Sequence, residues 1–171
     1  MPLFQAKGVS EDYLRASGIP YTIIDPHGYM ELLVARVVGM PAMMGQPVTI
    51  VGGGLRKHSF VSMGDVAAFI IASIDNSAAI NQKLILGGPQ PISFRDAVAI
   101  YERVLRHQIQ IRSIAPGEPL PGTPMDIIQA LAGLDIYDSP IDMTHVARTF
   151  EVQLTSLEEV SHRTIKSAVQ I

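Results

Sequence analysis

The sequence predicts an α/β fold. Three observations carry this. Tyr21-Thr22-Ile23-Ile24 and Lys83-Leu84-Ile85-Leu86 are short runs rich in branched apolar residues, suited to strands buried on both faces of a parallel sheet. Each run ends on breakers, Asp25-Pro26-His27-Gly28 and Gly87-Gly88-Pro89. Helix-period segments flank and separate them, and the one from Asp65 to Ile74 is long enough to return the chain to a parallel neighbour.

In chain order, the spacing predicts a helix over Phe4–Ala16. Leu3, Ala6, Val9 (or Ser10), Tyr13 and Leu14 share a face, and Lys7 with Glu11 makes an i,i+4 pair. Gly18 stops that helix and Pro20 prevents its resumption. After the Tyr21–Ile24 strand, Tyr29 to Val38 reads as a second helix. Met40, Met43 and Met44 around Pro41 suit either an adaptable apolar pocket or a loop-covered core. Val48–Val51 and His58–Val61 read as two short strands around Gly52-Gly53-Gly54. A phosphate-binding loop would have to run into a helix N-terminus; here a strand-like segment follows, so a hairpin turn is expected.

Ser62 is expected to cap the next helix, with Asp65 as the reciprocal carboxylate. Ser93 caps a helix from Phe94 to about Arg106, and Ile109–Ile114 reads as a strand. Ala115–Thr123 is a loop, because four of the 12 prolines fall between positions 116 and 124. Helices over 124–134, 143–150 and 156–167 finish the chain, the last opened by a Ser156-x-x-Glu159 capping box.

Composition narrows the function classes. With 171 residues, 47% hydrophobic and 17% charged, the chain has globular rather than disordered composition, and its length suits a single domain. The formal charge of −3 and the lack of a basic block argue against a nucleic-acid partner. There is no Cys, which excludes disulfides, Cys-zinc sites and thiol nucleophiles. The apolar stretches fall short of the ~20 residues of a membrane span, and MPLFQAKG has no apolar signal core, so a cytoplasmic location and no membrane partner are expected. The five histidines (His27, His58, His107, His145, His162) show no ligand spacing, so no metal site is expected; G-x-S-x-G is also absent.

One ordered set of motifs goes further. Lys7-x-x-x-Glu11-x-Tyr13-Leu14-Arg15-x-Ser17-Gly18-Ile19-Pro20-Tyr21-Thr22-Ile23-Ile24-x-Pro26-x-Gly28-Tyr29-Met30-Glu31 resembles the middle of an atypical short-chain dehydrogenase of the NmrA-like, NAD(P)-binding group. Phe60-Val61-Ser62-x-x-Asp65-Val66-Ala67, Leu86-Gly87-Gly88 and Thr155-Ser156-Leu157-Glu158-Glu159 continue the pattern in the same order. The resemblance implies the C-terminal part of a Rossmann-type parallel sheet plus a small, mostly helical substrate-side lobe. Residues 1–90 would be the residual Rossmann strands and helices, and 91–171 the lobe. The glycine-rich strand–turn–helix of the first half is not in this sequence, so the chain is expected to be the C-terminal half of such a protein.

The implied activity is NAD(P)-dependent oxidoreduction; the alternative is a non-catalytic dinucleotide-sensing or protein-interaction module. The resemblance gives Lys7 the ribose-binding, pKa-lowering role, and Pro26, His27, Gly28, Tyr29 and Met30 the lining of the nicotinamide and substrate cleft. The group's catalytic Tyr would stand at position 3, which here is Leu3 and has no proton to exchange, so Lys7 is a catalytic candidate without its Tyr partner. A solvated Lys7–Glu11 pair is the competing reading of that lysine. Asp25 stands where the group usually carries Arg, and a carboxylate there repels a cofactor phosphate. NAD(P) is the implied cofactor, with tight binding to this chain alone not expected. The implied partner is a second copy of the chain or a polypeptide supplying the Rossmann N-terminal half, because Tyr21–Ile24 would otherwise be an uncovered edge.

Overall fold

A computed structural model describes the backbone of residues 2–120 and 123–169, and side chains from residue 5 to 167 outside that gap. The Leu3 side chain, and residues 121 and 122 of the proline-rich loop, lie outside the described residues.

Helix α1 (Pro2–Ala16) leads through Gly18 into strand β1 (Thr22–Pro26). A π-helix (Met30–Gly39) continues into the short α2 (Met40–Met43) and strand β2 (Val48–Val51). Helix α3 (Met63–Ser73) and a 3₁₀ turn (Ser77–Ala79) precede strand β3 (Gln82–Leu86). Then come α4 (Phe94–Leu105), β4 (Ile111–Ile114), α5 (Met125–Leu134), α6 (Thr144–Thr149) and α7 (Leu157–Val169).

The expected pairing of the two branched runs is present. β1 and β3 are parallel neighbours, with Thr22 opposite Gln82 and Pro26 opposite Leu86. Leu84 and Leu86 turn inward onto Val61, Val66 and Phe69, while Lys83 and Ile85 face the opposite, more open side. α3 packs against β1, as a crossover helix does.

The hairpin expected at Gly52–Gly54 does not form. β2 pairs in parallel with β4, Val48 opposite Ile111 and Val51 opposite Ile114. His58–Val61 is not a strand; it makes only isolated bridges, His58 with Ile92 and Ser139, and Val61 with Tyr29. The glycine loop instead receives a carboxylate. The Gly53 and Gly54 N–H groups donate to Asp135 at 2.9 and 2.8 Å, so one carboxylate satisfies two successive backbone donors. Gly52 is at φ +72°, and a Cβ there would lie 2.0 Å from Asp135 Oδ2.

The capping box expected from Ser62 and Asp65 is also rearranged. Ser62 caps α3 by accepting from Gly64 N–H, but the carboxylate at that helix start is Glu31, which accepts from Ser62 Oγ–H and Met63 N–H at 3.0 Å. Asp65, 4% exposed, accepts from Thr155 N–H at 2.7 Å and Thr155 Oγ–H at 2.6 Å. The boxes at Ser93/Asp96 and Ser156/Glu159 form locally. The Ser93 N–H bond holds the Asp96 carboxyl below its usual range.

Two apolar clusters hold these layers. The first joins the π-helix, β2, α4 and α7. Phe94, Ala97, Val98 and Tyr101 lie on one face of α4 against Val34 and Val38. The Tyr101 ring presses on the backbone of Gly39, where a Cβ would meet the phenol oxygen at 2.4 Å. The second cluster lies under β1 and β3, with Phe69 edge-on to Phe150. Burying each such side chain is worth roughly 1.5–3 kcal/mol. Neither alternative for the methionines is met by Met40 and Met44, which are exposed.

Candidate functional site at the strand ends

β1 and β3 run in the same direction, so their C-terminal ends and the loops Pro26–Met30 and Gly87–Pro89 open on one side of the molecule. In open α/β sheets that side is where ligands bind. α1 returns antiparallel to β1, with Ala16 near the strand's start. Glu11 lies level with Asp25 through Lys83, whose ammonium reaches Glu11 Oε1 at 2.9 Å and Asp25 Oδ2 at 2.8 Å. Lys7 is one helical turn earlier in α1, about 6 Å along the helix from Glu11. The Lys7–Glu11 pair expected from spacing is not made, because Glu11 binds Lys83 and Arg15. The hydrogen bond from Lys83 holds the Glu11 carboxyl below its ordinary value, and Asp25 first, then Glu11, raises the Lys83 ammonium.

The residues after β1 divide into exposed ledge and interior. Pro26, His27, Gly28 and Tyr29 are half-buried, and Met30 is 2% exposed within the first cluster. The backbone clamps the turn: His27 N–H donates to Leu86 C=O at 2.9 Å, Val61 N–H to Gly28 C=O at 2.7 Å, and Met30 N–H to Val61 C=O at 2.9 Å. The structure therefore leaves His27–Tyr29 half-buried at the strand end and sends the Met30 side chain inward, while Lys7 is exposed on α1.

A hydrogen-bonded chain of side chains meets this ledge. His27 Nε2 is 2.5 Å from Ser139 Oγ, which is 2.5 Å from His58 Nδ1, and His58 Nε2 is 2.7 Å from Leu134 C=O. The two imidazoles stack with centroids 6.2 Å apart. Burial, then the neighbouring His58, pushes the His27 imidazole below its ordinary value of 6.5, and Asp25 partly offsets this. Ser139 lies on a segment stitched along residues 53–59. Asp135 binds Gly53 and Gly54; Asp138 accepts from Lys57 N–H at 2.7 Å; Ser139 N–H donates to Lys57 C=O at 2.8 Å. One residue beyond Ser139 begins a groove of about 390 Å³, between Pro89 and Pro91 on the β3 side and Pro140, Ile141 and Thr144. That size suits a small organic ligand.

Sequence reading missed Ser139 altogether and named His58 only as one histidine among five. No local spacing marks them, since they lie 112 and 31 positions from His27 in the chain. His107, His145 and His162 are exposed, and no metal-binding cluster occurs among the described residues. None of the described helices is long and apolar enough to cross a membrane.

The glycines test where a dinucleotide fits. The Gly53 and Gly54 amides are taken by Asp135. Gly87 and Gly88 are buried, and a Cβ on them would strike Ser59 and Phe60 at 2.8 and 2.0 Å. The starts of α3, α4 and α7 are closed by Glu31, Ser93 and Ser156, whereas the π-helix and α5 carry no side-chain cap.

Among solved structures, the chain is similar to the Citrobacter sp. triphenylmethane reductase complexed with NADP(H), with TM-score 0.78, 18% identity and coverage of 95% of this chain and 59% of that one. It is also similar to an NADPH-dependent quinone oxidoreductase from Escherichia coli complexed with NADPH, with TM-score 0.75, 18% identity and coverage of 90% and 56%. These likenesses establish a Rossmann-type α/β fold. Among curated proteins, it is 32% identical over 111 residues to a probable pinoresinol-lariciresinol reductase of Arabidopsis thaliana, covering 63% of this chain and 36% of that protein. It is 30% identical over 105 residues to a phenylcoumaran benzylic ether reductase of Ginkgo biloba, covering 59% and 34%. The chain thus spans about a third of the length of these curated relatives. The family model described as NmrA-like matches residues 1–166, and the chain belongs to the NmrA-like family.

Proposed function

We propose that this chain is the substrate-side part of an NAD(P)-linked reductase. The observation that carries this reading is the ledge Pro26–Tyr29 at the C-terminal end of a parallel strand pair, beside a groove of about 390 Å³, in a chain that has reductases among its relatives. Lys7, Pro26, His27, Gly28 and Tyr29 would hold the nicotinamide-ribose end, with Met30 supporting the ledge from the core. When bound, the dinucleotide supplies or accepts a hydride. The chain's own residues orient the substrate in the groove and close the strand end. Tight binding needs amide donors for the pyrophosphate, and those of the glycine loop, Gly53 and Gly54, are already taken by Asp135.

A polypeptide carrying a Rossmann first half is the expected partner. β1 pairs only with β3, leaving its other edge open among the described residues. α1 exposes Val9 at 54% and Tyr13 at 75%, and Ile19 beside it is 64% exposed. A bare strand edge next to apolar surface favours association with further chain. The same surface favours, as a second reading, a protein-interaction module without turnover, or a pair of copies joined through this edge.

Titration of the full chain with NADPH and NADH, followed by nicotinamide fluorescence, tests the first reading. Weak or undetectable binding is expected without a partner; a dissociation constant in the low micromolar range overturns the requirement for a second half. Sedimentation at micromolar concentration tests the edge: self-association is expected, and a stable monomer with the β1 amides protected from exchange overturns it.

A further inference from the structure

We propose that His27 is the residue that exchanges a proton with the bound substrate, through its Nδ1 atom, and that Ser139 and His58 are positioning residues that fix its tautomer. This rests on the reductase reading above.

Hydrogen-bond chemistry determines the direction of the chain. Leu134 C=O only accepts, so His58 Nε2 carries the hydrogen, and in the uncharged ring His58 Nδ1 is then an acceptor. That acceptor takes the Ser139 hydroxyl hydrogen. With its hydrogen committed, Ser139 Oγ accepts from His27, which must carry its hydrogen on Nε2. The uncharged His27 ring is left with a bare lone pair on Nδ1. Among the described residues no protein group meets that atom, and it is not among the buried unpaired polar atoms, so solvent reaches it. Anchored to Leu134 C=O, this relay orients one free basic nitrogen at the strand end.

The position fits the need. The hydroxyl that a Tyr would supply is absent at Leu3, and a reduction of a carbonyl-type carbon still requires a proton. In that direction His27, as the imidazolium with its second proton on Nδ1, would give that proton to the substrate oxygen as the carbon–oxygen π pair moves onto it, the carbon gaining the hydride that a reduced nicotinamide would supply. The ring is left uncharged and solvent reprotonates it. In the reverse direction the uncharged ring accepts the alcohol proton at Nδ1. Asp25, on the strand leading to the ring, and His58, stacked on it, are the charged or titratable groups facing it; Ser139 is its hydrogen-bond partner.

Imidazole ¹⁵N NMR of the full chain across pH 5–8 tests this. The expected result is His27 and His58 both with hydrogen on Nε2, and His27 gaining its second proton on Nδ1. Ser139→Ala should return His27 toward a mixture of tautomers. A His27 that carries its hydrogen on Nδ1, or whose tautomer ignores Ser139→Ala, overturns the proposal. NADPH titrated into the same samples separates the two readings: low-micromolar binding overturns the requirement for a second half, while the tautomer result decides the relay whether or not NADPH binds. Where NADPH-dependent reduction of menadione is measurable, His27→Gln should lower kcat by about 10²–10⁴-fold and remove the fall in rate as pH rises through the His27 range. Undiminished kcat in that variant also overturns the proposal.

Discussion

Ser139 Oγ lies 2.5 Å from His27 Nε2, and among the described residues this is the one hydrogen bond tying the 134–141 segment to the end of β1. Everything else that holds Ser139 belongs to residues 57–59. Ser139→Ala leaves a ring N–H of His27 and the Nδ1 of buried His58 without partners. A loss of about 1–3 kcal/mol is expected, read from urea unfolding; a loss below a few tenths would mean that water replaces the hydroxyl in full.

Acid should weaken the fold through His27. Its folded-state pKa lies below the ordinary 6.5 because of burial and His58. Between those two values the unfolded chain binds more protons, so stability is full above about 6.5 and falls as pH drops through the folded-state pKa. Thermal melts from pH 7.5 to 5 should show a declining Tm that flattens in His27→Gln. An identical slope in both proteins would assign the acid sensitivity elsewhere.

Lys83 is the charged tether of α1. Replacing it with Met removes both its contacts, to Glu11 and to Asp25. These groups are 20–40% exposed, so the global cost should stay within about 1 kcal/mol. The larger effect should be local, as faster amide exchange in α1 with β3 unchanged. Equal protection of α1 in the variant would show that apolar contacts alone hold it.

The glycine loop offers a paired test. Gly52→Ala forces a Cβ onto Asp135 at a positive φ and should cost about 1–3 kcal/mol. Gly53→Ala, with nothing closer than 3.9 Å, should stay within about 0.5 kcal/mol. Chemical denaturation of the two variants side by side checks the order; equal losses would mean that the Asp135 carboxylate moves aside freely.

What was legible in the sequence was local. β1 and β3 announced themselves by branched apolar runs closed by breakers, and Ser93/Asp96 and Ser156/Glu159 box their own helices. Ser62-x-x-Asp65 has the same pattern, yet Asp65 goes to Thr155, 90 positions away, and Glu31 takes the capping place. β2 misled for the same reason: the nearest strand-like segment lay across three glycines, while the true partner, β4, is some sixty residues on. The candidate site followed suit. Its ledge could be placed from a strand end, whereas Ser139 and His58 reach it only through tertiary structure.

The bond between Asp65 and Thr155 sets a lower limit on how far this polypeptide can be trimmed. Asp65 opens α3 next to Ser62, which Glu31 grips from just past the ledge. Both of Asp65's partners come from one residue near the C-terminus, where Thr155 donates twice. A version ending before Thr155 would strand a carboxylate in the interior with neither donor. No residue of α7 is among those lining the groove, yet the segment leading into it keeps Asp65 paired at the start of the helix that Glu31 caps.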